Sequence, residues 1–344
     1  MHKFLTLFVA LFWTLLPALM TAQPSETPPA PEVRTAPLDD IFMRDACVLV
    51  DREAGLYYMV ASARGAAVRA YTSEDLVDWT GPYIVYRTPS EMWGEDVHIQ
   101  GIWAPEIHKY RDRYYLFVTF SSNHLFEEQW SQWFQWRDRV RRGSQVLVSD
   151  NPLGPYEAFS NEPQLPAEKM TLDGTLWVED GVPYMVYCHE WVQVVDGTMS
   201  KVRLSEDLSE TIGEPVVLFR GSDAPWAERQ EYGSWVTDGP WLYTSESGKL
   251  FMVWSSFGEG GYTVGLAVSE SGRLEGPWEQ QAEPLYSDDG GHPMLFESLE
   301  GQLMMALHSP NTGPNQRIHL FEMKDTGETL QVVKRLDTQS AAGQ

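Results

Sequence analysis

Five stretches of this chain repeat one pattern, a turn followed by a short apolar strand, and a repeat of that kind restricts the fold more than any single residue does. The copies are Gly55–Ala61, Asp112–Val118, Gly181–Tyr187, Gly248–Trp254 and Gly301–Leu307, with starts 57, 69, 67 and 53 residues apart. Another apolar run precedes each copy: Ala46–Val50, Ile107–Tyr110, Thr175–Val178, Trp241–Thr244 and Met294–Glu297. The turns between are short and mostly hold glycine, as antiparallel hairpins require. A third strand follows each pair, ending in Ser73, Ser149, Ser205, Ser269 and Phe321, and a fourth is several times introduced by Gly-Pro, at Gly81-Pro82, Gly154-Pro155 and Gly276-Pro277. Four antiparallel strands repeated five times predict an all-β fold, a five-bladed β-propeller, over residues 39–340. A β-sandwich would space its strands evenly, without the fourfold grouping. One segment breaks the pattern. Phe126, Trp130, Trp133 and Val140 stand near helical spacing, which predicts a short helical insertion over 124–142 in blade two.

The sequence ahead of the repeats reads differently. Lys3 is followed by an almost wholly apolar run from Phe4 to Leu16 and then by Ala18 and Ala22, the pattern of a secretory signal over residues 1–22. The run is too short for a convincing membrane span. An exported protein, periplasmic or extracellular, is therefore expected. Residues 23–38 hold five prolines and read as an extended linker. A net charge of −24 repels phosphate backbones and anionic lipid, so nucleic acid and membrane surfaces are poor partners. With 14 Trp, 15 Tyr and 14 Phe among 344 residues, the chain is rich in flat apolar faces that suit a neutral ligand such as a carbohydrate. Cys47 and Cys188 sit in apolar runs and read as reduced, buried thiols. A monomer is expected.

In a propeller the innermost strand of each blade lines a central channel. The starts of those strands are Asp45, Glu106, Asp173-Gly174, Asp238-Gly239 and Gly291-His292. Asp-Gly alone usually marks a tight turn. Here the hairpin turns are already occupied, by Glu53-Ala-Gly, Glu179-Asp-Gly and Glu246-Ser-Gly at the opposite strand end. Four acids and a histidine are thus expected at one mouth of one channel. Converging carboxylates raise one another's pKa, an arrangement that function or a cation has to justify. One protonated and one ionised carboxyl between aromatic walls suit acetal cleavage. There is no Gly-x-Ser-x-Gly elbow and no phosphate-binding glycine motif.

These residues resemble glycoside hydrolase family 43. The likeness rests on Trp103-Ala-Pro-Glu-Ile-His108, Arg44-Asp45, Asp173-Gly-Thr-Leu-Trp177, Val236-Thr-Asp-Gly-Pro240 and Gly290-Gly-His-Pro293, and spans roughly residues 40–325. It implies inverting hydrolysis, commonly of α-L-arabinofuranosides or β-xylosides. It further implies Asp45 as the general base that activates water and Asp173 as the carboxylate that tunes the acid. The family's acid is normally Glu in a Glu-Gly-Pro context. Asp238 stands there in this chain, which moves the proton donor by roughly 1–1.5 Å. Glu190 and Glu231 are the substitutes to consider. Arg44, Trp103, Glu106, Trp191 and His308 are candidate substrate contacts, with Trp241 a weaker stacking candidate. No cofactor is required. His292 matches a histidine that in relatives faces a channel-centre cation, often calcium, and a buried, satisfied histidine is the competing reading. Three functions stay open: a pentose-releasing glycosidase of arabinofuranosidase or xylosidase type with a preference for chain ends, a galactose-type exo-glycosidase or fructan-active relative, and a carbohydrate-binding propeller impaired in catalysis by Asp238.

Overall fold

The computed structural model describes residues 31–129, 138–230 and 233–338. They form five antiparallel sheets, each made of consecutive strands. Blade one holds β1 (Arg34–Pro37), β2 (Cys47–Asp51), β3 (Leu56–Ala63), β4 (Ala67–Ser73) and β5 (Asp78–Arg87), and blade two β6 (Ile99–Tyr110), β7 (Arg113–Leu125), β8 (Val140–Ser149) and β9 (Glu157–Ala158). Blade three is β10 (Thr171–Glu179), β11 (Val182–His189), β12 (Thr198–Leu204) and β13 (Thr211–Arg220). Blade four is β14 (Asp238–Thr244), β15 (Leu250–Gly258), β16 (Gly261–Ser269) and β17 (Trp278–Gln280), and blade five β18 (Gly291–Glu297), β19 (Leu303–Ser309), β20 (Arg317–Asp325) and β21 (Leu330–Arg335). This is the five-bladed propeller, four strands to a blade, that the repeat predicts.

The second strands read as unbroken apolar runs because both of their faces are buried. Successive side chains on a strand point to opposite sides. In β15, Phe251 and Val253 pack toward blade five, while Leu250, Met252 and Trp254 pack toward blade three. In β11, Met185 and Tyr187 join the blade-two cluster, and Val186 and Cys188 join the blade-four cluster. The core is therefore a ring of apolar interfaces between neighbouring blades. Both cysteines are free and buried within it.

Two expectations change. Residues 34–37, read as linker, form β1, which pairs with β5 in the register Arg34 to Gly81 through Pro37 to Asp78. Proline is tolerated there because an outermost strand leaves one edge unpaired. The helical insertion of blade two falls largely on 130–137, outside the described residues. On either side of it the chain is extended, with Leu125 of β7 paired to Val140 of β8. Among the described residues the one α-helix is α1 (Trp191–Val194), between β11 and β12.

Among the described residues no strand is exchanged between blades one and five, and side chains do most of the closing of the ring. Tyr57 of β3 accepts a hydrogen bond from the Leu299 amide at 2.8 Å and donates to Glu300 Oε2 at 3.3 Å. Its ring meets Phe296 edge-on at 6.3 Å. Arg52 reaches Glu297 Oε1 at 2.7 Å and the Ser298 carbonyl at 3.0 Å. Tyr57→Phe keeps the ring contact and strips the Leu299 amide of its acceptor. The variant is expected to unfold about 1–2 kcal/mol more easily in urea, and an unchanged midpoint would refute this account of the seam.

Candidate active site

Each channel strand reaches the same mouth of the channel through one left-handed residue. These are Asp45 (φ 48°), Ala104 (φ 39°), Asp173 (φ 53°), Gly239 (φ 52°) and His292 (φ 55°). In blades two to five the residue opens a β-bulge, where the register slips between Trp103 and Glu106, Leu172 and Thr175, Asp238 and Trp241, and Gly291 and Met294. A bulge places two residues opposite one and re-aims the side chain. Asp45, Asp173 and His292 occupy this slot directly. Asp238 precedes the slot by one residue and Glu106 follows it by two, so the five positions aligned from the sequence are not equivalent. Glu106 belongs deeper in the channel, hydrogen-bonded to His108 Nε2 at 2.9 Å.

Asp45, Asp173, Asp238 and His292 converge at this mouth. Asp45 Oδ2 accepts from Arg44 Nε at 2.8 Å. Its Oδ1 lies 3.1 Å from His308 Nδ1 and 3.7 Å from His292 Nδ1, yet is buried without an aligned hydrogen-bond donor. His292 Nδ1 is also 3.8 Å from Asp173 Oδ2. Asp173 Oδ2 accepts from the Gly239 amide at 3.0 Å, and the Asp173 amide donates to Thr119 Oγ1 at 2.8 Å. Glycine is needed at 239 because a Cβ there would lie 2.9 Å from the His292 ring. Tyr262 donates to Asp238 Oδ2 at 3.1 Å.

The three carboxyls have different electrostatic surroundings. Burial pushes Asp45 up, but His292, His308 and Arg44 hold it well below the usual carboxylate range. Of these, Arg44 is charged at every working pH. For Asp238 burial dominates, the charges of Asp45 and Glu190 add to it, and the result is about 7 despite the Tyr262 hydrogen bond and Arg44. Asp173 is pushed well up by burial and then by Asp238 and Asp45, against the Gly239 hydrogen bond. The Asp173–Asp238 pair thus retains a proton into the neutral range, and Asp238 is the less buried of the two. Tyr262 is pushed up by burial and by the same carboxylates, so it stays a neutral donor. An ionised and a protonated carboxyl in one cavity can activate a water and protonate a leaving oxygen.

The other candidates fall in several places. Arg44 is half-exposed beside Asp45, and its Nη1 reaches the Asn311 carbonyl at 3.5 Å. His308 of β19, a candidate substrate contact, is fully buried and lies 3.1 Å from Asp45. Trp103 is 39% exposed, in keeping with a stacking surface. Trp191 opens α1 and is half-buried. Trp241 lies down the channel, stacked on His108 at 5.4 Å and 16°, away from the site. Glu190 is buried and ion-paired with Arg142. Glu231 lies outside the described residues.

The sequence reading missed Tyr262, Thr119, Arg142 and Ser121. Tyr262 sits just after the hairpin from β15 to β16, the same second-to-third-strand connection that carries Glu190 in blade three. A calcium ion fits this donor set poorly. His292 offers nitrogen where calcium takes six to eight oxygens, and among the described residues no three His, Cys, Asp or Glu side chains converge in metal-binding geometry.

Comparison with known proteins identifies the family and the fold. The family model described as glycosyl hydrolases family 43 matches residues 35–328. The crystal structure of an endo-arabinase from Bacteroides thetaiotaomicron VPI-5482 is 35% identical, with a TM-score of 0.73, covering 88% of this chain and 98% of that one. A thermostable family-43 glycoside hydrolase shares the fold at 22% identity, with a TM-score of 0.71, covering 89% of this chain and 97% of that one. Alpha-L-arabinofuranosidase B of Pyricularia oryzae is 24% identical over 190 residues, 54% of this chain and 36% of that protein. The chain thus spans little more than a third of the length of that curated relative.

Burial lowers His292 to about 4, with His308 and Arg44 adding to the effect and Asp45 opposing it. Its ring is therefore expected to stay neutral at pH 5 by imidazole nitrogen NMR. Because the folded pKa lies below the unfolded one, the unfolded chain takes up the proton first. About 3 kcal/mol of stability is then lost as pH falls from about 6.5 to about 4. A ring that titrates near pH 6.5 in the folded protein would contradict this.

Proposed function

Because the chain belongs to glycosyl hydrolase family 43, we propose that it hydrolyses α-L-arabinofuranosyl bonds, with inversion at the anomeric carbon. The observation that carries this reading is the opposed protonation of two carboxyls in one pit, Asp45 low and Asp238 raised to about 7. Asp45 presents Oδ1 to water while Arg44 holds Oδ2. The proton taken from water goes to that oxygen as the hydroxyl attacks the anomeric carbon. Asp238, with Oδ2 held by Tyr262, gives its proton from Oδ1 to the departing glycosidic oxygen. Asp173, itself pushed well up by burial and by Asp238, shares the buried pair's proton with the acid.

Arabinose is favoured over xylose because the endo-arabinase is 35% identical over nearly its whole length and the curated relatives are arabinofuranosidases. The endo-arabinase also weakens the preference for chain ends drawn from the blade-two insertion. The signal-like residues 1–22 support action outside the cytoplasm.

Asp45→Asn is expected to lower kcat on 4-nitrophenyl α-L-arabinofuranoside by about 10²–10⁴-fold. Asp238→Asn should be severely impaired on arabino-oligosaccharides and much less so on an aryl glycoside whose leaving group needs no proton. The wild-type rate should fall as pH rises through about 7, where Asp238 loses its proton. Proton NMR of the first product should give inverted anomers. A wild-type rate in Asp45→Asn, or a retained anomer, would overturn the assignment.

A further inference from the structure

Arg142 lies outside every motif that carries the family resemblance, yet it joins three parts of the mouth. It projects from β8 and is only 10% exposed. Its Nη1 is ion-paired with Glu190 Oε2, in the connection that follows β11 of blade three. Its Nε and Nη2 each lie 3.2 Å from Ser121 Oγ of β7. Its guanidinium carbon stands 3.9 Å from the ring centroid of Trp103 on β6. One face of the indole is thus covered by a planar cation, and Trp103 is still 39% exposed. A cation held this close to an aromatic face and fixed by further hydrogen bonds restrains the ring.

Glu190 is 6% exposed, and among the described residues its one ion-pair partner is Arg142. Its carboxylate acts on Asp238 in the same sense as Asp45, favouring the protonated acid. The other groups around Asp238 are Tyr262 from β16, Arg44 and Asp45 ahead of β2, Asp173 from β10 and, against Gly239, the His292 ring from β18. Among these charges, Glu190 is the one whose strength a single partner, Arg142, sets.

Building on the hydrolysis proposed above, we infer that Arg142 is a positioning residue that holds Trp103 as a sugar platform and attenuates the charge Glu190 presents to Asp238. Removing the guanidinium leaves Glu190 uncompensated, so Asp238 keeps its proton to higher pH. Removing the Glu190 charge does the opposite. A side chain with a merely structural role would not move the acid in opposite directions in the two variants.

The test uses the full-length protein with Arg142→Met, Arg142→Lys and Glu190→Gln, each checked for folding by circular dichroism. The alkaline limb of kcat/KM on an arabino-oligosaccharide, whose leaving oxygen needs the proton, is expected to rise by about 0.5–1 pH unit in Arg142→Met and to fall by about as much in Glu190→Gln. Arg142→Lys keeps the charge and loses the planar stack. Its limb should stay near the wild-type position while KM rises several-fold. Carbon-13 titration of the Asp238 carboxyl follows the same shifts without turnover. If the wild type cleaves no arabinofuranoside but the Asp238 titration still moves in opposite directions, the positioning role stands and the substrate reading fails. An Asp238 titration unmoved in both variants, or moved in the same direction, overturns the inference. So does a loss of about 10³-fold in Glu190→Gln with Asp238 unmoved, which would make Glu190 the proton donor.

Discussion

The left-handed residue at the mouth of each channel strand is the constraint from which the rest of the site follows. Four of the five are not glycine, and each such residue costs about 1 kcal/mol or more. A cost met four times, by Asp, Ala, Asp and His, belongs to the architecture and not to any one side chain. The bulge it opens turns the next side chains out of the ladder and toward the axis. Once the ring is closed, any polar residue at that slot arrives in the same pit as its counterparts. Asp45, Asp173 and His292 arrive this way. Gly239 shows the reverse use of the slot: it gives up its side chain so that His292 fits and its amide can hold Asp173. The raised acid then has to come from the position before, which is Asp238.

Crowding three carboxyls into one buried cavity would be unfavourable if all were ionised, and the chain already carries a net charge of −24. The structure separates them by their partners. Asp45 gains the permanent cation of Arg44 and two imidazoles, and it ionises. Asp173 receives one backbone amide and Asp238 one phenol, neither of which carries charge. Neutral donors cannot offset burial and repulsion together, so this pair keeps a proton. The division between a base and an acid is therefore set by who faces whom across blades, a property that no local stretch of sequence contains.

That distinction explains what could be read from the sequence and what could not. The blades were legible because second strands such as Phe251–Trp254 and Met185–Cys188 are buried on both faces, which leaves an apolar signature at each repeat. The convergence of Asp45, Asp173, Asp238 and His292 followed from ring geometry. Glu106 stands two residues past its strand's left-handed position, which the sequence could not show because a bulge adds a residue without changing composition and register is fixed only by the partner strand. β1 was hidden by its prolines, which an outermost strand accepts. Tyr262 and Arg142 were missed because their roles depend on contacts across the mouth with Asp238 and Glu190, and neither sits in a spacing that marks it.

The interior of the channel bears on how a substrate can approach. Below the catalytic layer, Glu106 is buried and pushed up by its burial, against hydrogen bonds from His108 and Thr175. Beneath it the His108 ring stacks on Trp241 and packs edge-on against Phe117 at 5.2 Å. Cys47 fills another side of this level, its Sγ 3.8 Å from the Ile107 carbonyl. Side chains from blades one, two and four thus floor the pit instead of leaving an open bore. On the hydrolysis proposed above, a sugar would enter from the mouth where Trp103 is exposed. On the proposed mechanism, this packing beneath the pit shelters the water that Asp45, held on its other oxygen by Arg44, would activate.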